Sequence, residues 1–153
     1  MSEVRIRQFA QLMCQSEFLF SESLQQTDIE VLRSLLHLQP LSEADSKRIT
    51  MAPAIGQVSI DILLINTILP YRYAYAIAHH DIAKAQQAIE LIALLPAENN
   101  TVIRQWRMLG QTVRSAADTQ ALIHLYQNYC QPHLCFNCQI GHQVFGYKQL
   151  ELF

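Results

Sequence analysis

Only four glycines and five prolines occur in the 153 residues, and charged side chains make up just 16% of the chain. So few turn formers exclude a loop-rich β sandwich, and a composition that is 50% hydrophobic excludes a disordered chain. Basic residues do not predominate: eleven Lys/Arg stand against thirteen Asp/Glu, for a formal net charge of −2. That balance denies the chain the electrostatic footprint of a nucleic-acid-binding surface. Long hydrophobic runs are missing as well. The longest, residues 60–69, is too short for a bilayer and is interrupted by Asp61 and Asn66. No membrane partner is expected. The opening Met1-Ser2-Glu3-Val4-Arg5 puts charge where a signal peptide needs apolar residues, so the expected location is the cytoplasm. There is no glycine-rich phosphate loop, G-x-S-x-G, H-E-x-x-H or pair of carboxylates on one helix face. A non-enzymatic chain is therefore expected.

What remains is helical periodicity. Val4, Phe9, Leu12 and Met13 give an amphipathic segment over residues 3–14. Thr27 with Glu30 forms a capping-box signal ahead of Ile29, Leu32, Leu35 and Leu36. Residues 40–56, with Pro40, Pro53 and Gly56, are the least periodic and read as a long connection. Ser59 is the expected cap of an apolar helix that continues past Pro70 to His79. Proline removes a backbone donor and clashes with the preceding turn, which predicts a kink or break there. Apolar on most faces, this segment is expected to be the central, buried helix.

Asp81 caps the next helix, with a stripe of Ile82, Ala85, Ile89, Ile92 and Leu95 ended by Pro96. Asn100 opens another, stopped by Gly110. Ser115, with Asp118 three residues on, opens the last, which ends near Cys130. β propensity is confined to residues 49–51 and 143–147. These observations predict an all-α fold: a single compact orthogonal bundle of about six helices over residues 1–153, with a C-terminal cysteine-containing loop.

That loop holds the one constellation suggesting chemistry: Cys130, Cys135, Cys138 and His142, spaced C-x4-C-x2-C-x3-H. In a reducing compartment such cysteines read as ligands or packing residues before disulfides. Zinc takes four soft or borderline ligands in a tetrahedron, and this set offers four; His133 is a rival for the last place. An iron–sulfur cluster ranks below zinc, because Cys14 is remote and no fourth cysteine lies near the loop. A redox dithiol at Cys135 and Cys138 ranks lower still, without a βαβ pattern. Against all of these, free cysteines usually pack as small hydrophobes, here beside Leu134, Phe136 and Ile140.

Other residues weigh less. Asp61 reads as a helix-start carboxylate and Asn66 as a group satisfying backbone near Pro70, each preferred over a functional role. Tyr71, Tyr73 and Tyr75 around Arg72 could stack bases but more often pack in the core. His79-His80-Asp81 reads as a helix boundary. Trp106 reads as an anchor, with Arg104 and Arg107 at its flanks. Cys14 reads as a lone cysteine of the buried type.

Asp61-Ile62-Leu63-Leu64-Ile65-Asn66-Thr67-Ile68-Leu69-Pro70 resembles a hallmark stretch of an uncharacterised bacterial family, domain of unknown function (DUF) family 2851. Arg5-Ile6-Arg7-Gln8-Phe9-Ala10-Gln11-Leu12, Ile103-Arg104-Gln105-Trp106 with Leu109-Gly110, and Ser115-Ala116-Ala117-Asp118-Thr119-Gln120-Ala121-Leu122 agree, in the family's order. The end, Tyr129-Cys130 through Cys135-x2-Cys138-Gln139-Ile140-Gly141, is similar to its closing cysteine pattern. The resemblance implies longer relatives with a β-rich front portion, of which this chain looks like the C-terminal helical part. It implies no activity, and it carries over only Cys130, Cys135 and Cys138 as candidate ligands.

Three functions follow in order. The first is a helical interaction or scaffold module whose partner is protein, either a β-rich companion portion or a second copy. Candidate faces lie around Phe18, Leu19 and Phe20 and in the tail, residues 150–153. The second is a zinc- or iron–sulfur-bearing nucleic-acid module, which needs Arg104, Arg107, Arg114 and Lys148 clustered beside the loop. A metal-assisted hydrolase comes last, since Asp118 lies a full helix away from the loop.

Overall fold

The computed structural model describes residues 3–15, 18–37 and 55–145. Every extended element among them is helical, as the all-α reading predicts. The chain divides into two compact units, Met1–Leu95 and Pro96–Phe153.

The first unit holds α1 (Glu3–Gln15), α2 (Leu19–Gln25), α3 (Ile29–Leu35), α4 (Gln57–Leu63), α5 (Leu69–Ala78) and α6 (Ile82–Leu94). Its start signals are local. Asp81 accepts from the Lys84 N–H at 3.0 Å, as expected for a cap. At α3 the cap is Asp28, accepting from the Glu30 N–H at 2.8 Å, rather than Thr27. Both residues are good caps, and the start falls one position later than Thr27 would set it. Ser59 is not a cap either. The helix begins at Gly56, whose extended backbone lets its carbonyl accept from the Ser59 and Ile60 N–H groups. The unpredicted α2 follows Phe18. The connection around residues 40–54 and the β propensity at 49–51 lie outside the described residues.

Pro70 does not break its helix. A π-helical segment, Leu64–Ile68, joins α4 to α5, and the Leu69 N–H reaches back to the Leu64 carbonyl. The wider turn answers the missing proline donor and relieves the ring's clash with the turn before it. Nor is this helix apolar-buried all round. Ile60, Leu64, Ile65, Leu69 and Ala76 are buried along one side, whereas Ile62, Tyr71, Tyr73, Tyr75 and Ile77 are exposed. On α6 the buried stripe is Ala85, Ala88 and Leu91, leading to Leu95, with Ile82 and Ile89 exposed. Small buried residues on both helices suit the close packing of α5 on α6, which a stripe of isoleucines would hold apart.

The second unit holds α7 (Thr101–Met108), α8 (Ala116–Leu125) and α9 (Gln139–Phe145). Asn100 caps α7 through the Ile103 N–H at 3.0 Å, and Gly110, with φ +87°, ends it. Ile103, Ala116 and Thr119 are fully buried. Thr119 Oγ1 donates to the Ala116 carbonyl at 2.8 Å, which satisfies its hydroxyl. The β propensity expected from residue 143 gives way to helix as far as Phe145; residues 146–147 lie outside the described residues.

Candidate functional site

The cysteine loop is built from the end of α8. Ser115 and Asp118 start that helix with a complete capping box: the Asp118 N–H donates to Ser115 Oγ at 3.2 Å, and Asp118 Oδ2 accepts from the Ser115 N–H at 3.1 Å. The helix widens into a π segment, Tyr126–Cys130, and then reverses. His133 takes the left-handed conformation (φ 58°). Its N–H donates to the Cys130 carbonyl at 3.1 Å, and the Leu134 N–H to the Tyr129 carbonyl at 2.8 Å. This pairing closes a helix end in the manner glycine usually provides. The chain returns through a 3₁₀ turn, Cys135–Asn137, into α9. Gly141 lies so close to the Cys135 carbonyl that a Cβ there would overlap it.

Cys130, Cys135 and Cys138 thereby line one cavity of about 210 Å³, with Trp106, Leu125 and Tyr129 among its other walls. Cys130 and Cys138 are half-buried and Cys135 is exposed. Burial pushes the Cys130 thiol up from its ordinary range, and the neighbouring Cys138 and Cys135 add to the rise. The fourth expected ligand is turned to another partner, with His142 Nε2 lying against the Phe136 carbonyl oxygen. His133 serves the loop through its backbone. Among the described residues no group of three His, Cys, Asp or Glu side chains is arranged to hold a metal ion. The cavity rim is apolar: Ile140, Val144 and Phe145 are between 52% and 73% exposed. Trp106 anchors the wall as expected, and its Nε1 is buried with no hydrogen-bond partner among the described residues.

Elsewhere the sequence candidates scatter. Asp61 is buried and held bidentately by Arg33, with Nε donating to Oδ1 at 2.8 Å and Nη2 to Oδ2 at 3.1 Å. Asn66 donates to the Ile62 carbonyl at 3.0 Å, one turn back. The three tyrosines do not enter the core; Tyr71 and Tyr75 flank Phe20 edge-on, with ring centroids 4.7 and 5.7 Å away. The residue in the core is Arg72, which sequence reasoning left beside them. His80 ends α5 with φ 57°, confirming that boundary. Arg104 donates to Thr101 Oγ1 at 3.0 Å, Arg107 and Arg114 are exposed, and Lys148 lies outside the described residues. Cys14 is exposed, not buried, since Leu12 turns inward from α1 instead. No described helix is long and apolar enough to cross a membrane.

These elements define an all-α protein with a thiol-lined apolar cavity in its second unit. The family model described as "Protein of unknown function (DUF2851)" matches residues 1–101, and the chain belongs to that family. The match takes in the segments at 5–12 and 61–70, whereas those from residue 103 onward and the cysteine loop lie beyond it. No curated protein and no solved structure matches the chain.

Proposed function

We propose that the protein is a non-enzymatic helical interaction module that receives apolar side chains of a protein segment in the cavity of its second unit. The observation that carries this reading is the cavity itself. Its walls are aromatic, aliphatic and thiol groups, and its rim exposes Ile140 and Val144 four residues apart on α9. A site of this chemistry offers no charged group to a polar metabolite and gains most by removing apolar surface from water. The occupant comes from a β-rich companion portion of the kind the family resemblance implies, or from a second copy of the chain. Sedimentation of the chain, alone and mixed with such a companion portion, tests the reading. A complex is expected in at least one arm and is lost in Val144→Glu, which charges the rim at an exposed position. Monomers in both arms overturn it.

A second reading is favoured by one observation, the gathering of three thiols around a single cavity. Cys130, Cys135 and Cys138 have the soft donors that zinc or an iron–sulfur cluster takes, and a rotation of His142 away from the Phe136 carbonyl would supply a fourth ligand. Such a centre would brace the loop of a nucleic-acid-binding module. It ranks second because the existing geometry holds His142 elsewhere and the charge balance disfavours a nucleic-acid backbone.

A further inference from the structure

Three helices of the first unit frame a second cavity of about 270 Å³, lined by Ser21, Leu24 and Gln25 of α2, Arg72 and Tyr75 of α5, and Lys84 of α6. Arg72 is 3% exposed. Its Nη2 donates to the Gln26 carbonyl at 2.7 Å and to Gln87 Oε1 at 3.3 Å. Its Nη1 is buried and has no partner among the described residues. No described carboxylate pairs with this guanidinium, so a full positive charge is held in the interior by two neutral oxygens. Burial alone acts on it, lowering its proton affinity. An interior charge without a counter-charge is costly, and the cost is offset when an anion completes the site.

Lys84 stands on the same cavity wall, with an exposed side chain whose Nζ is 3.4 Å from Asp81 Oδ2. Two cationic side chains therefore line one small cavity. The planar guanidinium presents paired donors that match the oxygens of a carboxylate or phosphate. We propose that this pocket binds a small oxyanion, the phosphate or carboxylate group of a small molecule, at the Arg72 guanidinium with Lys84 beside it. The site is independent of the thiol-lined cavity.

Calorimetric titration with inorganic phosphate and, separately, with succinate tests the proposal against sodium chloride of equal ionic strength. Saturable binding of either probe is expected. Phosphate alone would mark a phosphate ester as the ligand class, and succinate alone a carboxylate. The exposed Lys84→Gln change is expected to weaken binding about tenfold, the loss of one charge-assisted contact. Arg72→Lys keeps the charge but not the fork and is expected to lose binding; should it fail to fold, Lys84→Gln alone decides. Absence of saturable binding to both probes, or unchanged affinity in Lys84→Gln, overturns the proposal.

Discussion

Arg33 and Asp61, 28 residues apart, hold each other through both carboxylate oxygens and so pin α3 to α4 inside the first unit. Their side chains are 14% and 8% exposed, and Glu30 is a second acceptor for the same guanidinium. Asp61→Asn leaves a half-neutralised cation and is expected to cost about 3–5 kcal/mol in urea unfolding. Replacing both partners, Arg33→Met with Asp61→Leu, should recover most of that loss. A double variant as unstable as the single one would contradict the pairing.

The pair also sets a pH expectation. Asp61 raises the Arg33 proton affinity above its ordinary range. The contribution from that group is therefore complete below the ordinary arginine range and is lost only at still higher pH. No loss of stability is therefore traced to Arg33 between neutrality and moderately alkaline pH.

Acid is different. Backbone N–H groups of Arg114 and Ser115 hold the Asp118 carboxyl below its ordinary value of 3.8, and the Lys84 N–H does the same for Asp81. Stability from a depressed carboxyl is complete above the unfolded value and is lost as pH falls through the folded one. The urea midpoint should decline as pH drops below about 4, and the decline should be shallower in Asp118→Asn. Equal acid limbs in the variant and the parent would remove Asp118 from the account.

Two histidines sit where glycine would cost less. His80 and His133 both have φ near +58° at helix ends closed by the same pair of backbone bonds. His80→Gly is expected to raise stability by roughly 1 kcal/mol, because a left-handed non-glycine residue carries about that penalty. The converse change, Gly110→Ala, should lower it by a similar amount (about 1 kcal/mol). A melting temperature that falls in His80→Gly would show that its ring makes up for the backbone cost.

Gly141→Ala forces a methyl group into the Cys135 carbonyl and should open the loop. The chain has a single tryptophan, Trp106, in the wall of the cavity that the loop closes. Its emission should shift to the red in the variant, while the far-ultraviolet circular dichroism of the helices changes little. Unaltered emission would show that the loop tolerates the methyl group.

Local chemistry was legible and distant pairing was not. The caps at Asp81, Asn100 and Ser115, and the stop at Gly110, depend on residues within about one turn, which a sequence displays directly. Thr27 and Asp28 are both good caps, so the choice between them was not decided by type. The partner of Asp61 lies on another helix, and nothing in its neighbours names Arg33. The burial of Arg72 was hidden for a related reason: three tyrosines around it suggested a core, yet the inward face belongs to the arginine and Ala76. At Pro70 the rule that proline breaks a helix met a π segment that spares it. The cysteine spacing put Cys130, Cys135 and Cys138 on one tight reversal but left open whether they serve as ligands or pack as small hydrophobes. It did not foretell that His142 would turn to the Phe136 carbonyl, since that depends on how α9 packs on the 3₁₀ turn.

Elemental analysis of the purified, untagged protein decides between a thiol-lined cavity that receives apolar side chains and a metal centre in the same loop. No stoichiometric zinc or iron is expected if apolar side chains dock there, and a thiol reagent should modify the cysteines without a chelator, the exposed Cys135 before the half-buried Cys130. About one equivalent of zinc, or iron with sulfide, lost on changing Cys135 and Cys138 to serine, would contradict that docking and make the loop a metal centre.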